Sequence, residues 1–286
     1  MCIRDSVKTC GTKLETAIAW EDSNVGRAFA KAGVAQRIGY DLKGLTRKLT
    51  DKMPVEAAVG PTEHRVRYFM GLIEKLGIEG YTAQNFETPP LPPRPNPPRI
   101  GVAPGSILGS AYRWDVDRFR DLIEALQDSY QVEVVILAYP GRANEANELD
   151  NRLNKESESA RNFANEFDLS QLLGALPHCT AIVSNEGAVT HLAAYLGVPA
   201  VALFGPGDPN ATRPLGRIHT VLSQHVECSP CLQKSCPLDH HRCMEELSVS
   251  RVLEAVGAYL QPPPQQQAPA PNQPQPKAQA QPQAPG

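Results

Sequence analysis

"VSNEGAVTHLAAYLGVPAVALFGPGDP", Val183 to Pro209, is the stretch whose periodicity decides the fold class. The run "AIV" (Ala181 to Val183) leads into it and "PAVALF" (Pro199 to Phe204) lies within it. Both are short, apolar and bordered by turn residues, as strands buried on both faces are. Between them "HLAAYL" (His191 to Leu196) has helix-forming composition, and Gly197 with Pro199 stops it. The stretch therefore predicts a β-α-β unit whose first strand ends in a polar, glycine-containing turn and whose second ends in Gly-Pro-Gly-Asp.

The same alternation extends upstream. "RIGVAP" (Arg99 to Pro104) and "EVVILAY" (Glu133 to Tyr139) read as strands. "DVDRFRDLIEALQDS" (Asp115 to Ser129), "ANEANELDNRLNKE" (Ala143 to Glu156) and "DLSQLLGALPHC" (Asp168 to Cys179) read as helices. Alternation of this kind predicts an α/β fold with a parallel sheet covered by helices on both faces, and such sheets bind ligands at the carboxyl ends of their strands.

"ETPPLPPRPNPPR", residues 87–99, can sustain neither helix nor central strand and reads as a stiff, extended linker. Before it, "TAIAW" (Thr16 to Trp20) and "RIGYD" (Arg37 to Asp41) are strand-like, and "SNVGRAFAKAGV" is a helix capped by Ser23 and ended near Gly33. "TEHRVRYFMGLIEKLGI" places Val66, Phe69, Met70, Ile73 and Leu76 on one helical face, which predicts packing on a core. Residues 1–15 read as an artefact or disordered start, 16–86 as a partial first domain, 100–260 as the second domain, and 261–286 as a disordered Pro/Gln/Ala-rich tail.

The 286 residues suffice for one large or two ordinary domains, and 41% hydrophobic content suits a globular core. A net charge of −3 supplies no basic field for nucleic acid. No run approaches the roughly 20 apolar residues of a membrane span, and no leader pattern opens the chain, so a cytoplasmic protein is expected.

Three turns fall where strands of the second domain end: "APGSILGSAYRW" (Ala103 to Trp114), "AYPGRANE" (Ala138 to Glu145) and "SNEGAVTH" (Ser184 to His191). The first and third join small residues to the start of a helix, where free N–H groups and the helix dipole favour an anion such as a diphosphate. Each turn alone is ordinary loop chemistry; a common position on one sheet edge makes a phosphate-bearing ligand the expectation.

"APGS" and "YRW" followed by an amphipathic helix, the opening stretch, and "CSPCLQKSCPLDHHRCMEELSVSRV" together resemble the second half of the lipopolysaccharide heptosyltransferases, glycosyltransferase family 9. "AFAKAGVAQRIGYD" and "HRVRYFMGLIEKLG" resemble the later part of that family's acceptor domain, so the resemblance covers most of residues 16–260. It implies a GT-B architecture of two Rossmann-like domains with parallel sheets, here with the N-terminal one incomplete. It also implies inverting transfer of a heptose from ADP-heptose to the lipid A-linked inner core, with no cofactor, by a monomer peripheral to the inner membrane. His191 would approach the donor diphosphate, Glu186 the sugar hydroxyls and Glu145 the ribose; backbone at Gly105, Ser106, Gly187 and Ala188 would line the phosphates, and Arg113 would offset their charge. A buried, backbone-satisfied histidine is the structural alternative for His191.

The chain departs from the family pattern, which reads Asp-Ser-Gly or Asp-Thr-Gly at Glu186 to Ala188 and lysine at Tyr112. The family's opening strand and Gly-Asp turn, which supply the catalytic base, have no counterpart before Trp20, and Glu21 with Asp22 reads as a solvated pair; the base is expected in a missing N-terminal part. Cys228, Cys231, Cys236 and Cys243 are spaced C-x2-C-x4-C-x6-C with His225, His240 and His241 nearby. Zinc is one reading, but without a second C-x2-C pair the expectation is reduced cysteines or a labile bridge shaping a loop. A nucleotide-sugar epimerase of the same fold and a non-catalytic nucleotide-sugar-binding or metal-binding remnant are the alternatives. The basic segment 41–52 reads as a solvated loop or a weak contact with anionic lipid.

Overall fold

The computed structural model describes residues 14–20, 23–54, 64–79, 82, 87–153 and 160–261. Most of the expected start segment, Glu21 with Asp22, and the tail beyond Gln261 lie outside the described residues.

The first lobe is a three-stranded parallel sheet of β1 (Thr16–Ala19), β2 (Gln36–Tyr40) and β3 (Asp51–Met53), in that order. Helix α1 (Ser23–Lys31) crosses from β1 to β2 and starts at Ser23 itself. It runs close against the β2–β3 crossover: a Cβ on Gly26 would stand 2.4 Å from Leu45 Cδ1. Segment 41–52 corrects the expectation of a solvated loop. It forms a 3-10 turn at Thr46–Lys48 and then β3, with Leu45 and Leu49 buried in the lobe's core while Lys43, Arg47 and Lys52 stay exposed.

Helix α2 (Arg65–Glu74) also differs from its expected face. Tyr68 and Leu72 are the buried positions, packed with Ile38 and Tyr40; Phe69 is partly buried and Leu76 is 38% exposed. Two aromatic contacts turn the helix. The Tyr40 and Tyr68 rings stack with centroids 4.0 Å apart, and the Tyr40 hydroxyl donates to the Tyr68 carbonyl at 2.7 Å. Aliphatic periodicity alone undervalued a tyrosine that satisfies its partner's hydroxyl.

The second lobe is a six-stranded, wholly parallel sheet. Its strands are β4 (Arg99–Ala103), β5 (Glu133–Ile136), β6 (Arg161–Asn162), β7 (Ala181–Asn185), β8 (Ala200–Phe204) and β9 (Thr220–Ser223), in spatial order β6-β5-β4-β7-β8-β9. Helices α3 (Val116–Ser129), α4 (Asn144–Arg152), α5 (Leu169–Ala175), α6 (Ala188–Tyr195), α7 (Pro209–Thr212), α8 (Arg242–Glu245) and α9 (Val249–Leu260) connect or flank these strands. Two apolar clusters lie on the sheet's two faces. One centres on Phe119, Leu122, Ile123 and Leu126 of α3 with Val252 and Val256 of α9; the other gathers Leu172, Leu176, Val189, Ala193 and Val198. The β6 and β9 edge strands and α9 were not anticipated from sequence.

Local chemistry explains the elements. Asp115 caps α3 by accepting from Asp117 N at 2.7 Å, and the apolar positions then fall at the helical spacing of one face. Pro177 closes α5 into the 3-10 turn Leu176–His178, so the expected helix 168–179 is two pieces. Gly197, at φ +74°, ends α6 with Val198 N bonding to Ala193 O at 2.9 Å.

Candidate functional site

The strand order reverses at β4 and β7. From β4 the chain proceeds outward through β5 to β6, and from β7 it proceeds the other way through β8 to β9. The crevice beyond the carboxyl ends of such neighbours is where doubly wound sheets take ligands. The register pairs Ala103 with Ser184, so the two expected turns, at Gly105 and Ser106 and at Glu186 to Ala188, lie side by side there.

Asn185 fastens them. Fully buried, its Oδ1 accepts from Trp114 N at 3.0 Å while its amide donates to the Pro104 carbonyl. Ser106 adds a second tie, its hydroxyl donating to the Glu186 carbonyl at 3.0 Å and accepting from Leu108 N at 3.2 Å. Asn185 was not singled out from sequence, although an amide at the end of a strand buried on both faces is a signal of this kind.

Gly187 opens α6 at φ +155° and ψ −160°, a conformation open to glycine and strained for other residues. No side chain caps this helix, so its first N–H groups remain available to an anion. Gly105, Ser106, Gly187 and Ala188 line one small depression, with Tyr139 and the exposed Arg142 at its side. Arg142 is a cation that the sequence reading passed over within "AYPGRANE". A larger cavity, about 1050 Å³, runs beside β5 and β6 from Arg99 and Glu133 to Leu137 and Phe163, and no residue of the three turns lines it.

Arg113 and Glu145 are brought together by the fold. Their side chains form an ion pair at 2.5 Å, with Glu145 in the first turn of α4 where a negative charge suits the helix dipole. Arg113 also reaches the Ser106 carbonyl at 3.5 Å, while its buried Nε has no partner. The expected cation is thus already matched by the expected ribose carboxylate.

His191 is exposed, not a buried histidine satisfied by backbone. Surrounding protein mass, and then His64, lower its pKa from the ordinary 6.5, so the neutral imidazole dominates at pH 7. His64 comes from the other lobe, where its Nδ1 caps α2 by accepting from Val66 N at 3.1 Å; its Nε2 meets the Arg213 carbonyl at 2.8 Å and therefore carries the proton. A cross-lobe contact thus stands beside the candidate site.

Glu186 is 3% exposed, with Oε1 2.5 Å from the Thr212 hydroxyl. Burial raises its carboxyl from 4.5 to about 7, opposed by the Thr212 hydrogen bond and aided by Asp208. Cys228, Cys231, Cys236 and Cys243 line one small cavity with His240 and His241. All four are free thiols, and burial, then the other three cysteines, push Cys243 up to about 11. Among the described residues no three His, Cys, Asp or Glu are placed so as to hold a metal ion. The loop instead braces the site: Lys234 O accepts from Ala111 N at 3.0 Å, and Ser229 donates to the Gly205 carbonyl at 2.6 Å.

Comparison with known proteins places this arrangement. Residues 37–242 match the family model described as glycosyltransferase family 9 (heptosyltransferase). Lipooligosaccharide heptosyltransferase 2 of Campylobacter jejuni is 30% identical over 238 residues, covering 79% of this chain and 72% of that protein. Lipopolysaccharide heptosyltransferase 2 of Escherichia coli is 32% identical over 187 residues, 64% of this chain and 51% of that protein, so the matched part spans about half the length of that relative. The solved structure of E. coli ADP-heptose lps heptosyltransferase II superposes with a TM-score of 0.67 at 27% identity, covering 90% of this chain and 78% of that one. The two-lobed architecture of parallel sheets is the GT-B fold of these structures, as the sequence led us to expect.

Proposed function

Because the chain belongs to glycosyltransferase family 9, we propose that it transfers a heptose from ADP-heptose to the inner core of a lipid A-linked oligosaccharide. The observation that carries this reading is the meeting of two small-residue turns at the switch between β4 and β7, with the uncapped start of α6 between them. That geometry suits a sugar diphosphate. The α6 N–H groups and His191 stabilise negative charge as the diphosphate departs, and they do so most where charge develops at the leaving oxygen. Arg142 and the Arg113–Glu145 pair border the nucleotide side, where Glu145 reaches the ribose.

An inverting displacement also needs a group that takes the acceptor's proton, and the residues named above serve the donor side alone. The reaction belongs on the cytoplasmic side of the membrane that carries the acceptor. The exposed Lys43, Arg47 and Lys52 support a peripheral contact with its anionic surface.

Calorimetric titration tests the donor. Saturable binding of ADP-heptose, weaker binding of UDP-N-acetylglucosamine, and a loss of about tenfold or more in His191→Ala are expected. Equal affinity for both nucleotide sugars would count against the assignment.

A further inference from the structure

The turn that receives the diphosphate in this reading has a carboxyl group for a neighbour. Glu186 immediately precedes Gly187, is 3% exposed, and its Oε2 has no hydrogen-bond partner. Its Oε1 lies 2.5 Å from Thr212 Oγ1, which is also 3.2 Å from the Asp208 carbonyl. A threonine hydroxyl carries one proton, so it can donate to only one of these two oxygens. The Asp208 carbonyl also accepts from Ala211 N at 3.0 Å and Thr212 N at 3.1 Å, so the hydroxyl proton is free to go to Oε1; even then an ionised carboxylate buries a charge with Oε2 unpaired. With the proton on Oε1, Glu186 donates to Thr212, Thr212 donates to Asp208, and both contacts are satisfied.

The surroundings favour the second arrangement. Gly207 packs so closely that a Cβ there would stand 1.7 Å from Oε2, leaving no room for a water or a cation on that side. The titratable groups facing Glu186 are Asp208, from the turn before α7, and Tyr112, from the 3-10 turn after β4. Both are acids. Tyr112 is itself buried, and burial, Glu186 and Cys231 all raise its pKa, so it stays neutral.

We propose that Glu186 is a positioning residue working as a neutral acid: it ties Thr212 to the start of α6 while presenting no negative charge to a diphosphate bound in the turn. The inference rests on the donor reading above. An ionised carboxylate at this point would oppose the helix dipole's attraction for an anion.

Two measurements on the full chain test it. The first needs no ligand: the Glu186 carboxyl resonance in glutamate-labelled protein, assigned by its disappearance in Glu186→Gln, is expected to titrate near neutrality. The second is ADP-heptose affinity between pH 6 and pH 8.5. The parent chain should weaken by about tenfold across this range, as expected when binding displaces the carboxyl's titration by one pH unit. Glu186→Gln, which keeps the shape and a donor, should bind with a flat profile. A resonance titrating like an exposed glutamate, or the same pH profile in both proteins, would overturn the neutral acid. Absence of ADP-heptose binding at every pH, with the resonance still titrating near neutrality, would overturn the donor reading instead and leave the neutral acid standing.

Discussion

At the scale of single residues, Glu186 and Gly187 make opposite demands. Glu186 keeps a proton in the folded chain up to about pH 7, whereas the unfolded chain releases it near 4.5. Below pH 4.5 both states are protonated and the group is neutral to stability. Between 4.5 and 7 the folded state binds more protons, so stability falls as pH rises, by about 3 kcal/mol in all. Denaturant unfolding at pH 5 and pH 8 should show this slope in the parent chain and lose it in Glu186→Gln. Gly187→Ala should cost about 1–3 kcal/mol, because φ +155° is strained for any side chain, and should weaken ADP-heptose by more than its effect on stability. Its added Cβ would meet Ser106 Oγ at 3.9 Å, an ordinary contact, so backbone conformation and not crowding is what such a variant reports.

At the scale of elements, the site depends on how the ends of β4 and β7 are held. Asn185→Ala removes the partner of Trp114 N and of the Pro104 carbonyl, both buried, and should destabilise the chain by about 2–4 kcal/mol in denaturant unfolding. Asp115→Ala removes only the cap of α3 and should cost about 1 kcal/mol. Helices α3 to α6 and the central strands of the second lobe were legible because burial on both sheet faces writes continuous apolar runs, and caps such as Asp115 mark their starts. The two-residue β6 and the edge strand β9 carry no such runs, and α2 turned on a tyrosine pair that apolar counting does not see. In the site, the turns were legible from glycine and serine beside a helix start. Asn185, Thr212 and Arg142 were not, since each acts through residues distant in sequence.

At the scale of the whole molecule, the two lobes meet beside the same turns. His64, which caps α2, contacts the Arg213 carbonyl, one residue beyond the threonine that holds Glu186, and adds to the lowering of the His191 pKa that burial begins. The linker is applied to the second lobe as well: a Cβ on Gly197 would stand 2.7 Å from Thr88 Oγ1. The central claim is that a sugar diphosphate sits at the carboxyl edge between β4 and β7. Hydrogen exchange of the chain with and without ADP-heptose tests it most directly. The account predicts slowed exchange in residues 103–109 and 184–191; protection confined to the cavity beside β5 and β6, around Glu133, Val135 and Arg161, would contradict it.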